Sequence, residues 1–121
     1  MNNSNISIQE RTKQFAIRVV NAYTQIIKNN HFNDAAVVLA KQFLRSGTSI
    51  GANCKEAVSA QSKKDFLSKY SIALKEAQET EYWCEIIIET NSVPKEKFVQ
   101  MLDENKQIIR ILSASTRKLK E

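Results

Sequence analysis

Only three residues in this chain of 121, Gly47, Gly51 and Pro94, strongly oppose an α-helix. Glycine costs a helix interior about 1 kcal/mol relative to alanine and proline about 3 kcal/mol. A multi-stranded sheet needs far more turn chemistry than one proline and two glycines supply. The chain is therefore expected to be all-α. The glycines pose the harder question, because both lie in "RSGTSIGANCKEA", Arg45 to Ala57, whose flanks read as continuous helix. The stretch has no preceding strand and no Lys-Ser/Thr ending, so it is not a phosphate-binding loop. Two readings stand: a close-packing device, or a local bend at Gly47.

Periodicity divides the chain into four helices. The first, about Ser7 to Asn30, repeats Ile8, Phe15, Val19, Ala22 and Ile26 at three-and-four spacing. After the polar turn "NNHFND", Asp34 is the expected N-cap of a second helix reaching to about Ala60. Ser62 caps a third, Lys63 to about Glu89, and "NSVPKE" separates it from a fourth, Lys95 to about Lys118, with Phe98, Leu102, Ile109 and Leu112 on one side. Pro94 is tolerated there because the first turn has no use for its missing N–H. Helices of about 22 to 28 residues, near 35 to 40 Å long and joined by short connections, predict a single-domain, up-down-up-down antiparallel four-helix bundle over residues 1–121.

On a helical wheel, Leu39, Phe43, Gly47, Ile50, Cys54 and Ala57 face the core from the second helix. Gly47 and Gly51 share one edge with Ala40 and Val58, a strip where another helix can come close. Along the other edge run Arg45, Ser49, Asn53 and Glu56, a polar stripe that is either a structural hydrogen-bond network or a place for a partner. The third helix places Phe66, Tyr70, Ala73, Leu74, Ala77, Cys84 and Ile88 toward the core. Ile72, Trp83, Ile86 and Ile87 project away from that face, which predicts self-association. Trp83 suits an interface anchor or the core periphery equally.

Several classes are disfavoured. Cys54 and Cys84 have no second pair and no neighbouring histidines, so neither a zinc site nor a disulfide framework is expected. The single histidine, His31, sits in a polar turn without a nucleophile, and the Glu-x-x-His signature of a di-iron bundle is missing. Glu56, Glu76 and Glu79 are the carboxylates an acid–base pair would draw on, yet no catalytic constellation emerges, and no enzyme activity or cofactor is expected. No stretch reaches the roughly 18 apolar residues of a membrane span, and "MNNSNISIQE" lacks the basic start and apolar run of a signal peptide. A cytoplasmic location without membrane contact is the expectation.

The residues of the second and third helices resemble a known family, the intervening-sequence proteins of 23S ribosomal RNA. Its S-I-x-x-N-x-x-E-G/A pattern is matched by Ser49, Ile50, Asn53, Glu56 and Ala57. Its following helix is resembled by Phe66, Ile72-Ala73, Glu76 and Glu79. The likeness spans about Phe15 to Leu112. Gly51 departs from it, standing where many relatives carry proline, and so does Lys55, standing where a small apolar residue is common. The resemblance implies a four-helix protomer assembled into a homopentameric ring or barrel. Relatives that serve diversity-generating retroelements bind nucleic acid and a reverse transcriptase through a basic surface.

Charge gives nucleic acid some independent support. Net charge is +5; Met1 to Asn33 carries four Lys/Arg against one acid and Val93 to Glu121 seven against four, whereas Gln61 to Ser92 carries four against six. Arg11, Lys13, Arg18, Lys106, Arg110, Arg117, Lys118 and Lys120 form a phosphate-contacting surface if the first and fourth helices are adjacent. No aromatic residue is interleaved with the terminal basic run, so base stacking is not predicted. Two functions follow: an oligomeric scaffold that binds RNA or DNA, with or without a protein partner, or a purely structural protein–protein module.

Overall fold

The computed structural model describes residues 6–121. Four helices, α1 (Ile8–Asn30), α2 (Asp34–Ala57), α3 (Lys63–Glu89) and α4 (Lys95–Leu119), account for nearly all of them, with no strand among the described residues. They form an all-α four-helix bundle in which sequential helices are neighbours; α1 and α4 also meet, over a much smaller area.

Three of the four helices start at a side-chain cap, and α4 starts at Pro94 without one. Ser7 accepts the Glu10 N–H at 3.1 Å, and Ser62 accepts that of Asp65 at 3.0 Å. At α2 the cap is Asn33 rather than the expected Asp34. Asn33 is extended and its Oδ1 accepts the Ala36 N–H at 3.2 Å. Asp34 is already helical, so its carboxylate favours the positive helix end from the first turn instead. Helix α2 also stops at Ala57, short of the expected Ala60, in a turn where Ser59 N–H donates to Glu56 O at 3.0 Å and Ala60 N–H to Ala57 O at 3.0 Å.

The end of α3 needs a left-handed residue, and the chain supplies asparagine. Asn91 has φ 57°, Ser92 N–H donates to Ile87 O at 3.2 Å, and Asn91 N–H donates to Ile88 O at 3.1 Å. This is the Schellman arrangement usually closed by glycine. Asn30, at the end of α1, donates to Ser92 O at 3.0 Å and so fastens α1 to the same turn.

Both glycines sit within unbroken helix. A Cβ added at Gly47 would lie 2.8 Å and 2.9 Å from the two Cγ atoms of Val19, which is fully buried. One added at Gly51 would lie 3.0 Å from the backbone oxygen of Thr12. Helix α1 therefore rests directly on α2 along this edge. Ala40 joins the strip as a buried residue, but Val58 does not: it is exposed, just past the helix end.

The core is built from Phe15 and Val19 of α1, Phe43 and Ile50 of α2, Ala77 and Ile87 of α3, and Ile108 and Leu112 of α4. Two expected faces are rotated. On α4, Met101 and Ile108 are buried while Leu102 and Ile109 lie at the margin; on α3, Ile87 is buried and Ile88 marginal. Polar core residues hid both faces in the sequence. Thr80 donates to Ser46 at 2.9 Å across α3 and α2, and Asn105 Nδ2 donates to Ala77 O at 2.9 Å across α4 and α3. Asn105 Oδ1 is buried without a partner among the described residues, an arrangement that costs about 1–3 kcal/mol.

The α3 terminus yields a stability test. Asn91→Ala should lower the unfolding free energy by about 1–2 kcal/mol, because alanine resists the left-handed region. Asn91→Gly should leave it unchanged or raise it. Urea unfolding decides, and an alanine variant as stable as the parent would contradict the cap.

Candidate functional site

The polar stripe of α2 is engaged along its whole length. Ser49 Oγ donates to Arg45 O at 2.7 Å and Asn53 Nδ2 to Ser49 O at 2.8 Å, each side chain bonded back to a carbonyl one turn earlier in its own helix. Arg45 reaches across to α3, pairing with Glu76 at 3.3 Å and, more closely, with Glu79. Glu79 also accepts the indole N–H of Trp83 at 3.4 Å. At the far end Glu56 pairs with Lys69 at 3.5 Å. All three carboxylates considered for acid–base roles thus face a cation. The stripe works as a ladder between α2 and α3, with exposed pairs worth about 0–1 kcal/mol each.

The α3 residues expected to face outward divide. Ile87 is fully buried, which removes it from any oligomer surface. Its position continues the buried series Ala73, Ala77, Thr80, Cys84 along the inner face of α3. Trp83 and Ile86 are half-buried, and Trp83 packs on the core while its ring meets Tyr82 edge-on at 5.1 Å. Ile72 and Tyr82 are exposed. On the opposite side of the bundle Ile17 and Val20 of α1 are exposed as well.

The expected basic surface is also divided. Arg11 lies in the α1–α4 seam, where its Nε meets Glu104 at 2.6 Å, both side chains are mostly buried, and the guanidinium donates a second bond to Gln107. Arg11 is a tie between helices, with little left for a phosphate. Arg18 lines the same seam, whereas Lys13 faces a different groove, between α1 and α2, together with Lys55. Lys106, Arg110, Arg117 and Lys118 are exposed on α4 and Lys120 just past its end, and none forms an ion pair among the described residues.

The cysteines are buried and unpaired. Burial raises both thiols, Cys54 to about 11 despite a hydrogen bond from Thr12, and Cys84 further, with Glu81 and Glu85 adding to the effect. Neither is a thiolate at neutral pH. His31 is exposed, its ring against Phe32 at 4.0 Å. No group of three or more His, Cys, Asp or Glu among the described residues is arranged to hold a metal ion. Among the described residues no helix is long and apolar enough to cross a membrane.

A bundle of this order, carrying the Ser49–Ala57 pattern on α2, agrees with a family model. The model described as 23S rRNA-intervening sequence protein matches residues 4–114. The chain belongs to that family. A crystal structure from Bacteroides thetaiotaomicron, of a protein with unknown function from the S23 ribosomal protein family, is 41% identical and has a TM-score of 0.81. The match covers 91% of this chain and 98% of that one. No curated protein matches. Family membership thus brings a fold and no assigned activity.

Substitutions on α3 separate core from surface. Ile87→Asp should lose more than about 3 kcal/mol, since it buries an unpaired carboxylate. Gln78→Asp, at an exposed polar position of α3, should stay within about 0.5 kcal/mol of the parent. Urea unfolding followed by circular dichroism reads both, and equal effects would refute the division.

Proposed function

We propose that this protein is a non-enzymatic, self-assembling helical scaffold that binds nucleic acid through the outer cations of α4. The observation that carries this reading is an imbalance in pairing. Arg45 takes up Glu76 and Glu79, Lys69 takes up Glu56, and Arg11 takes up Glu104, while the α4 cations keep no carboxylate. Lys106, Arg110 and Arg117 recur at helical spacing along about 16 Å of α4, a length suited to several successive phosphates. The buried thiols and cation-bound carboxylates support the non-enzymatic part.

Assembly is supported by the two apolar patches. Ile17 and Val20 on α1 and Ile72 and Tyr82 on α3 belong to diagonally placed helices. Two different patches on opposite sides fit a head-to-tail contact, which closes into a ring when the rotation allows. Five copies is the number implied by the family resemblance.

A mobility-shift titration tests the reading. Binding should weaken steeply with salt, and changing Lys106, Arg110 and Arg117 to Gln should lower the log–log salt slope by roughly one per residue. Unchanged mobility at low salt with RNA and DNA, single- and double-stranded, would overturn nucleic-acid binding. Light scattering that still reports a ring would then favour the structural protein–protein module, and a monomer would overturn the assembly as well.

A further inference from the structure

The antiparallel topology brings the start of α3 beside the end of α4. There Lys63, Phe66, Tyr70, Ser115, Lys118 and Leu119 line an open groove of about 420 Å³. Its floor is aromatic and aliphatic. Tyr70 is almost fully buried and fixed by Gln9, which donates to its hydroxyl at 3.0 Å. Phe66 leans on Tyr70, ring centroids 4.5 Å apart, and is half-buried, with part of its ring open to the groove. The rim is cationic, with exposed Lys63 and Lys118 contributed by different helices. Lys64, Arg117 and Lys120 neighbour them in sequence, against Asp65 and Glu121. Asp65 is partly engaged, since its carboxylate accepts the Gln61 N–H at 3.3 Å.

We infer that this groove takes one unpaired base of a single-stranded nucleic acid, stacked on Phe66, with the flanking phosphates at Lys63 and Lys118. The inference rests on the nucleic-acid reading above and adds a specific site and strand state to it. An apolar aromatic floor alone would suit many ligands; ammonium groups on both sides select an anionic one with a flat, apolar centre. A nucleotide within a strand has that form, a base between two phosphates. A duplex does not, because its bases are already stacked inside the helix. Spacing along the terminal basic run predicts no stacking, and the inference departs from it because Phe66 lies far from Lys118 in sequence yet lines the same groove.

Fluorescence anisotropy with labelled dT12, rU12 and a mixed-sequence 12-base-pair DNA duplex tests the site. Phe66→Leu keeps an apolar side chain but removes the π face. It should weaken dT12 and rU12 by roughly 5- to 150-fold, the range for losing one stacked base, and leave the duplex unchanged. Lys63→Gln with Lys118→Gln, both at exposed positions, should lower the single-strand salt slope by roughly two. If the parent binds no probe, nucleic-acid binding fails and this site with it. If the parent binds but Phe66→Leu and the double lysine variant bind dT12 and rU12 as the parent does, the groove fails while binding through α4 stands.

Discussion

The bundle depends most on the contact between α1 and α2 at the two glycines. At Gly47 the α2 backbone meets the fully buried Val19 side chain, and one turn further Gly51 meets the backbone of Thr12. Because the helices touch there, Thr12 is sealed inside, and its hydroxyl donates back to Ile8 O at 2.8 Å. The same approach brings Gln9 within reach of Cys54 O at 3.5 Å and of the Tyr70 hydroxyl, linking α1, α2 and α3 at one end of the bundle. A helical glycine weakens its own helix by about 1 kcal/mol. Here that loss is offset by close packing of a kind a larger residue would prevent.

This tight seam contrasts with the one between α1 and α4. There the helices meet over a small area, joined by Arg11 and Glu104 and opening into an apolar recess beside Ile26 and Met101. The bundle is thus closed strongly on three sides and lightly on the fourth. Charge follows the same division. The α2–α3 seam uses the acids of α3 to hold Arg45, whereas the outer side of α4 is left positive.

Much of the fold was legible in the sequence, because helix periodicity and capping are local. The four helices, the Ser62 cap and the placing of Gly47 on a packing edge all follow from spacing within one helix. Residues whose neighbours come from elsewhere were not legible. Ile87 reads as an outward residue until Thr80 is known to be buried, and Thr80 is buried because Ser46 of α2 receives its hydroxyl. Ile108 is similarly masked by Asn105, a polar residue placed in the core by a carbonyl of α3. Arg11 looked like a surface cation because Glu104, its partner, lies on the last helix. The groove at Phe66 needed the topology itself, which sets the first turns of α3 against the last turns of α4.

Equilibrium urea unfolding of Gly47→Ala tests the central contact most directly, since two effects on it have opposite signs. At an uncrowded helical site the substitution stabilises by about 1 kcal/mol. With Val19 rigid and buried against Gly47, the added methyl should instead lower the unfolding free energy by about 1–3 kcal/mol, the usual cost of overpacking a core. A lower urea midpoint supports the glycine contact as the feature that positions α1 on α2, and a higher midpoint would contradict it.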